Sequence, residues 1–303
     1  MHTTTWFITG CSSGIGRCVT EHLLRDGHRV AATARKPEQL ADLAERYSDQ
    51  LWVAALDVSD RHGVRTTVDR AFAELGRIDI VFSNAGYGLI GAAEELTEAD
   101  IDRQLDTNLG GPIHLTRAVL PHFRAQGGGR ILQTSSVGGQ VVFPGSSAYH
   151  AAKWGVEGFF ETVAGEVAEF GIGVTLVEPG SVPTSFLGSS LAVAAPMPEY
   201  GSGPVEDLRR LVTERGSTDS TPVCDVEKVA DAIIASTAGP APLRLTLGTD
   251  AYQAIHGALS NRLAALDAQH AMASSTDTRE RRAGTCANAL DSSKSMRRCG
   301  DRS

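Results

Sequence analysis

Apolar and polar positions along the chain follow two alternating rhythms. Short, β-prone apolar runs recur at residues 4–9, 28–33, 51–56, 78–82, 130–134, 173–177 and 243–247. Runs so short and so apolar fit strands buried on both faces. Between them lie longer stretches of helical character. The first reaches about Asp26; others cover 37–47, 61–75, 98–126, 149–170, 225–238 and a closing 250–273. Glycines stand where helices should stop, at Gly27, Gly76, Gly127 and Gly171. Asp60 is placed to cap the helix that starts at Arg61. Gly110, Gly111 and Pro112 should kink or loosen the 98–126 helix. Strands that alternate with helices predict the α/β class: a doubly wound parallel sheet of seven strands.

Two stretches break the rhythm. Residues 185–223 have no clear periodicity and hold Gly, Pro, Ser and scattered apolar residues. A long irregular segment of this kind suits a substrate loop or lid. From Ser274 onward Ser, Thr, Arg and Lys dominate, which predicts a disordered tail. The expected organisation is one domain over 1–273, with 185–223 as its substrate loop, and a tail over 274–303. The basic residues of that tail read as solvated, with contact to an acidic partner as the alternative.

Composition narrows the classes. The chain has 303 residues, 42% hydrophobic, with 32 glycines, so a sizeable core and many turns are expected. A net charge of −8 argues against nucleic-acid binding through overall charge. No apolar run approaches the roughly 20 residues of a membrane span. The N-terminal residues are too few and too uncharged for a signal peptide and read as the first strand. The five cysteines are scattered without metal-ligand spacing, so no metal site is expected and a reducing cytoplasm is the simple reading.

Candidate chemistry sits at the joints between elements. After the first strand comes Gly10-Cys11-Ser12-Ser13-Gly14-Ile15-Gly16, which opens a helix. Glycines let the backbone approach a pyrophosphate, and a helix N-terminus offers free N–H groups; a plain glycine-rich turn is the bland alternative. Ala34 ends the second strand where an acid would take a ribose 2′-hydroxyl, and Arg35 and Lys36 follow. An arginine there suits a 2′-phosphate, so NADP is favoured over NAD; the alternative is a pair of solvated loop charges. Asp57-Val58 closes the third strand, where an adenine edge could be met. Ser83-Asn84-Ala85-Gly86 closes the fourth, and read alone it is a turn. Asn108 lies in the loosened helix. Ser135 and Ser136 end the fifth strand, where ligands bind in open α/β sheets. Tyr149 and Lys153 are four apart on a helix and share one face. A free phenol titrates near pH ~10 and a free amine near ~10.4, and a neighbouring ammonium favours the phenolate. Such a pair makes a proton donor or acceptor for a carbonyl or alcohol oxygen, although most Tyr-x-x-x-Lys pairs are ordinary surface neighbours.

Taken together, Thr9-Gly10-x-x-x-Gly14-x-Gly16, Asp57-Val58, Asn84-Ala85-Gly86, Asn108, Ser136, Tyr149-x-x-x-Lys153 and Pro179-Gly180-x-x-x-Thr184 resemble the short-chain dehydrogenase/reductase family, in its order, over roughly residues 4–250. The branch looks like that of 17β-hydroxysteroid-dehydrogenase-like carbonyl reductases. Ser83 replaces the asparagine usual at that point. The resemblance implies a Rossmann fold and hydride transfer between a nicotinamide and a carbonyl or alcohol carbon. It implies Tyr149 as acid or base, Lys153 on the nicotinamide ribose and lowering the phenol pKa, and Ser136 as donor to the substrate oxygen. Asn108 would hold a water that links Lys153 to solvent. The implied cofactor contacts are Gly10, Ser12, Ser13, Gly14, Ile15, Gly16, Arg35, Asp57, Val58, Asn84, Ala85, Gly86, Tyr149, Lys153, Pro179, Gly180, Val182 and Thr184. A homodimer or homotetramer is implied as well, with no nucleic acid and no membrane. An NAD-linked alcohol dehydrogenase and a non-catalytic dinucleotide sensor are the rival functions. The substrate is not legible.

Overall fold

The computed structural model describes residues 3–184, 190–214 and 224–277. The chain runs β1 (Thr5–Thr9), α1 (Gly14–Arg25), β2 (Arg29–Ala34), α2 (Ala41–Arg46), β3 (Leu51–Ala55), α3 (Arg61–Leu75) and β4 (Ile80–Ser83). It continues through β5 (Gly88–Ile90), α4 (Glu98–Leu105), α5 (Gly111–Ala125), β6 (Gly129–Thr134), α6 (Ser147–Val167) and β7 (Ile172–Pro179). Then come β8 (Leu191–Val193), α7 (Pro204–Glu214), α8 (Val226–Ala235), β9 (Arg244–Leu247), α9 (Thr249–Asp267) and α10 (His270–Ser275). Seven of these strands form the expected sheet, in the order β3-β2-β1-β4-β6-β7-β9, with every pair parallel.

Alternation along each strand divides the core in two. In β1, Trp6 and Ile8 pack with α1, α8, Leu40 and Leu43 on one face, while Phe7 packs with α3, α5 and α6 on the other. In β4, Ile80 and Phe82 take the first face and Val81 the second. Burial on both faces explains why these strands read as unbroken apolar runs rather than alternating ones.

Helix ends follow the local chemistry. Gly27 and Gly171 adopt left-handed φ values of 83° and 68° just past their helices. Asp60 accepts a hydrogen bond from His62 N at the start of α3, and Thr97 with Asp100 forms a capping box on α4. The long 98–126 helix is broken as its Gly-Gly-Pro segment predicts: a π-turn over Asp106–Gly110 separates α4 from α5. Gly111 has to be small there, because a Cβ would lie 2.9 Å from Val58 Cβ.

The segment expected to be irregular is partly ordered. Residues 190–214 contain β8, which pairs parallel with β5 in a separate two-stranded sheet, and α7. Val205, Arg209 and Val212 form the buried face of α7. Its amphipathic spacing is present in the sequence but is masked by the surrounding Gly, Pro and Ser. A buried carboxylate fixes this segment. Glu95 accepts from Ala92 N at 2.7 Å and Met197 N at 2.8 Å, and each of its two oxygens accepts from Arg209 Nη2 at 2.8 Å. Residues 185–189 and 215–223 of the expected substrate loop lie outside the described residues, as does 278–303 of the expected tail. The first compact unit of the chain ends at Ala258. The second begins at Leu259 and holds the end of α9 and α10, with Leu259, Leu263 and Leu266 exposed. No helix among the described residues is long and apolar enough to cross a membrane.

Candidate active site

Because all seven strands are parallel, the loops after β1, β2, β3, β4, β6 and β7 emerge along one edge of the sheet. Those loops carry Gly10–Gly16, Arg35, Asp57-Val58, Asn84–Gly86, Ser136 and Pro179–Thr184. The strand order reverses direction between β1 and β4, the position at which open α/β sheets take ligands.

The glycine turn is built by close approach. Gly10 has φ +74°, and a Cβ on it would stand 2.9 Å from Ala85 Cα. A Cβ on Gly16 would stand 2.4 Å from both Gly10 O and Asn84 Nδ2. Gly14 has φ +59° at the start of α1, with Thr184 packed against it. The loop after β7 therefore meets the first turn of α1. First-turn N–H groups of a helix have no acceptor within it. A dinucleotide pyrophosphate suits the glycine-lined N-terminus of α1, and this backbone donor set fits such a cofactor. Arg35 is exposed directly after β2, next to buried Ala34. Asp57 holds Ser59 N at 2.9 Å and Ser59 Oγ at 2.7 Å, which leaves buried Val58 as the apolar member of that pair. Asn84 is a strut: its Nδ2 donates to Thr9 O at 3.1 Å, its Oδ1 accepts from Thr134 Oγ1 at 3.2 Å, and its N donates to Thr9 Oγ1 at 3.0 Å. It joins β1, β4 and β6. Ser181 N donates to Asp250 at 2.7 Å, which sets the turn containing Pro179, Gly180 and buried Val182.

Tyr149 and Lys153 lie in the first two turns of α6, both buried. The Tyr149 hydroxyl is hydrogen-bonded to Ser136. Ser136 Oγ accepts Gly138 N at 3.0 Å, so its own proton is directed to the phenol oxygen. Lys153 Nζ is 5.8 Å from the Tyr149 ring centroid and donates to Thr134 O at 2.9 Å. Burial pushes the phenol up to about 12, opposed by the Ser136 hydrogen bond. Burial also pushes the Lys153 ammonium down to about 8, opposed by the Glu157 carboxylate. Desolvation thus dominates the phenol, and the influence that lowers its pKa is the Ser136 hydrogen bond.

Residues 4–192 match the model of the short chain dehydrogenase family. The chain belongs to the short-chain dehydrogenase/reductase family. It is 41% identical over 254 residues to oxidoreductase BOA17 of Botryotinia fuckeliana, covering 83% of this chain and 91% of that one. It is 34% identical over 176 residues to the NADP-dependent 3-hydroxy acid dehydrogenase YdfG of Escherichia coli, 58% of this chain and 71% of that protein. The crystal structure of a short-chain dehydrogenase from Streptomyces avermitilis is similar at TM-score 0.84 and 37% identity, over 91% of this chain and 100% of that one. Family membership makes the chain an oxidoreductase of the NAD(P)-dependent class that acts on CH–OH groups.

In this short-chain dehydrogenase/reductase the site also rests on residues that sequence motifs do not flag. Asn108 is buried, but its Nδ2 donates to Tyr87 O at 2.7 Å and its Oδ1 accepts Tyr87 N at 3.1 Å. Its side chain latches the loop after Gly86. His150 has Nδ1 2.8 Å from Gly138 O and Nε2 3.2 Å from Phe143 N. The ring therefore donates from Nδ1 and accepts at Nε2. It staples the loop that carries Ser136 onto α6, and burial keeps its pKa low. One turn beyond Lys153, Glu157 accepts from Ser135 and from Gln140 Nε2 at 3.2 Å. Arg244 lies 3.2 Å from Glu157 and 3.3 Å from Glu178. Burial raises the Glu157 pKa, with the Glu178 charge adding to it and Ser135 and Arg244 opposing. The i, i+4 stripe Tyr149–Lys153–Glu157 was the available signal for Glu157. Arg244 has no sequence signal, since β9 meets β7 only in the folded sheet.

Proposed function

We propose that this chain is an NADP(H)-dependent carbonyl reductase, interconverting a ketone or aldehyde and an alcohol with Tyr149 as general acid and base. The observation that carries the reading is the buried Ser136–Tyr149 hydroxyl pair, flanked by Lys153, at the carboxyl edge of β6 beside the glycine turn. In the reductive direction Tyr149 gives its proton to the substrate oxygen. Ser136 turns its one hydroxyl proton from the phenol to the same oxygen as a second donor, and Lys153 offsets the phenolate charge left behind. When bound, the nicotinamide cofactor supplies the hydride. The cradle of Gly10, Ser12, Ser13, Gly14, Ile15 and Gly16 would hold the pyrophosphate. Asn84, Ala85, Gly86 and Pro179–Thr184 would flank the nicotinamide half and Asp57-Val58 would meet the adenine, while Asn108 fixes the neighbouring loop.

NADP is the preferred form because Arg35, with no acidic residue beside it at the end of β2, is free to meet a 2′-phosphate. The named NADP dependence of the E. coli relative supports the same choice. The branch of 17β-hydroxysteroid-dehydrogenase-like carbonyl reductases, with an apolar substrate, fits exposed Val142 and Phe143 on the loop stapled by His150. A cytoplasmic setting fits buried, free Cys11, Cys18 and Cys224. A homodimer or homotetramer completes the reading.

The test is a panel of ketones and aldehydes with NADPH and with NADH, followed by absorbance. Turnover with NADPH is expected, and Tyr149→Phe should lower kcat by roughly 10²–10⁴-fold while leaving NADPH binding intact. Full activity in that variant would refute the assigned role.

A further inference from the structure

The face of α1 opposite the glycine turn meets α8 through a cluster that the dehydrogenase chemistry does not use. His22 is buried, its side chain 4% exposed. Its Nδ1 lies 2.8 Å from Asp231 Oδ1 and its Nε2 lies 2.5 Å from Glu227 Oε2. Cys18 Sγ is 3.7 Å from His22 Nε2 and 3.4 Å from Glu227 Oε1. One thiol, one imidazole nitrogen and one carboxylate oxygen thus lie within 4.8 Å of one another.

Two features of this cluster call for a cation. A neutral imidazole has one N–H, yet both ring nitrogens of His22 face acceptor-only carboxylates. The second contact needs positive charge, either another ring proton or a metal ion. The charges nearest the thiol are also mostly negative: Glu227 and Asp231 face it, Glu21 is paired with Arg17, and Arg25 is the cation near Glu227.

We propose that Cys18, His22 and Glu227 form a Zn²⁺-binding site that ties α1 to α8, with Asp231 orienting His22. For tetrahedral zinc, bond lengths of about 2.3 Å to sulfur and about 2.0–2.2 Å to nitrogen and oxygen give ligand–ligand edges of about 3.4–3.6 Å. The sulfur–nitrogen distance is 3.7 Å and the sulfur–Oε1 distance 3.4 Å, within about 0.1 Å of those edges. The other oxygen, Oε2, sits 2.5 Å from Nε2, so the Glu227 carboxylate, 61% exposed, has to rotate to present a single oxygen to the metal. Its exposure leaves the fourth position to water. The Nδ1–H···Asp231 contact is the carboxylate–histidine pairing that fixes the tautomer of metal-bound imidazoles. Thiolate, imidazole and carboxylate together select zinc over magnesium or calcium.

Binding is not a redox step. The Cys18 S–H bond breaks, its proton leaves to solvent with any proton on His22 Nε2, and the S–metal bond forms. Burial and the Glu227 carboxylate push the free thiol up to about 12. A dication between the sulfur and that carboxylate replaces the repulsion with attraction to both. No spacing rule could show this site, because α1 and α8 are some 200 residues apart in sequence, Cys18 and Glu227 being separated by 209 positions.

The test uses the full chain without a polyhistidine tag, freed of metal by a chelator and titrated with Co²⁺ as a spectroscopic stand-in, then with competing Zn²⁺. One equivalent should bind, with a sulfur-to-cobalt charge-transfer band, and Zn²⁺ should raise the melting temperature. Cys18→Ser should abolish the band. Glu227→Gln and Asp231→Asn, both at exposed carboxylates, should each weaken Zn²⁺ binding roughly 10–100-fold while the chelated proteins stay folded. Absence of stoichiometric binding would overturn the proposal. So would a band that persists in Cys18→Ser, or affinity undiminished in Glu227→Gln.

Discussion

Tyr149 holds its proton tightly and Lys153 holds its own loosely, and the two facts set the pH behaviour. Carbonyl reduction needs a protonated phenol and a charged ammonium. Burial keeps the phenol protonated up to about 12, whereas the ammonium gives up its proton near 8. The alkaline limb therefore belongs to Lys153, and kcat/KM for reduction should fall as pH rises through about 8. A profile flat between roughly pH 7 and 10 would remove Lys153 from that role. Arg35 makes a second residue-scale prediction. A charge-assisted hydrogen bond contributes about 1.5–3 kcal/mol, so Arg35→Ala should raise the KM for NADPH roughly 10–100-fold and leave that for NADH nearly unchanged. Steady-state kinetics with both cofactors checks it. Tyr149, Ser136 and Lys153 were legible because their residue types and order carry the signal. The carbonyl of Thr134 and the Glu157–Arg244–Glu178 ion pairs were not, because β6, β7 and β9 supply them only once the sheet has formed.

At the scale of elements, the legible features were those with strong local causes. Buried strands announced themselves as apolar runs, and Gly110-Gly111-Pro112 announced the break between α4 and α5. The three-residue strands β5 and β8 did not, since a ladder so short leaves no period to read. The turn between β1 and α1 gives a prediction of its own. Gly16 is helical and needs no left-handed backbone, so the cost of Gly16→Ala is purely one of contact. Its methyl would stand 2.4 Å from Gly10 O and Asn84 Nδ2, which are fixed main chain and a fully engaged strut. Forced overpacking costs about 1–3 kcal/mol. Urea denaturation should show that loss, and NADPH titration should show weakened binding.

For the molecule as a whole, the parallel sheet gathers the reaction site on one edge, and a separate device holds the segment that follows β7. Glu95 is buried; its burial alone would raise its pKa, but Met197 N, Ala92 N and Arg209 hold it below the ordinary carboxylate range. A lowered folded-state pKa contributes stability above the unfolded value and loses it as pH falls through the folded one. Glu95→Ala leaves Ala92 N and Met197 N without their acceptor and Arg209 with Glu206 alone, and should cost about 1–3 kcal/mol at neutral pH. Chemical denaturation should find that gap at pH 7 and a smaller one in acid. The β5–β8 ladder and this carboxylate together join residues a hundred positions apart. Anyone who wishes to retune substrate choice by transplanting a relative's 190–214 must therefore carry 88–95 with it. The two pieces form one interchangeable cassette, and moving either alone would exchange a specificity for a misfit.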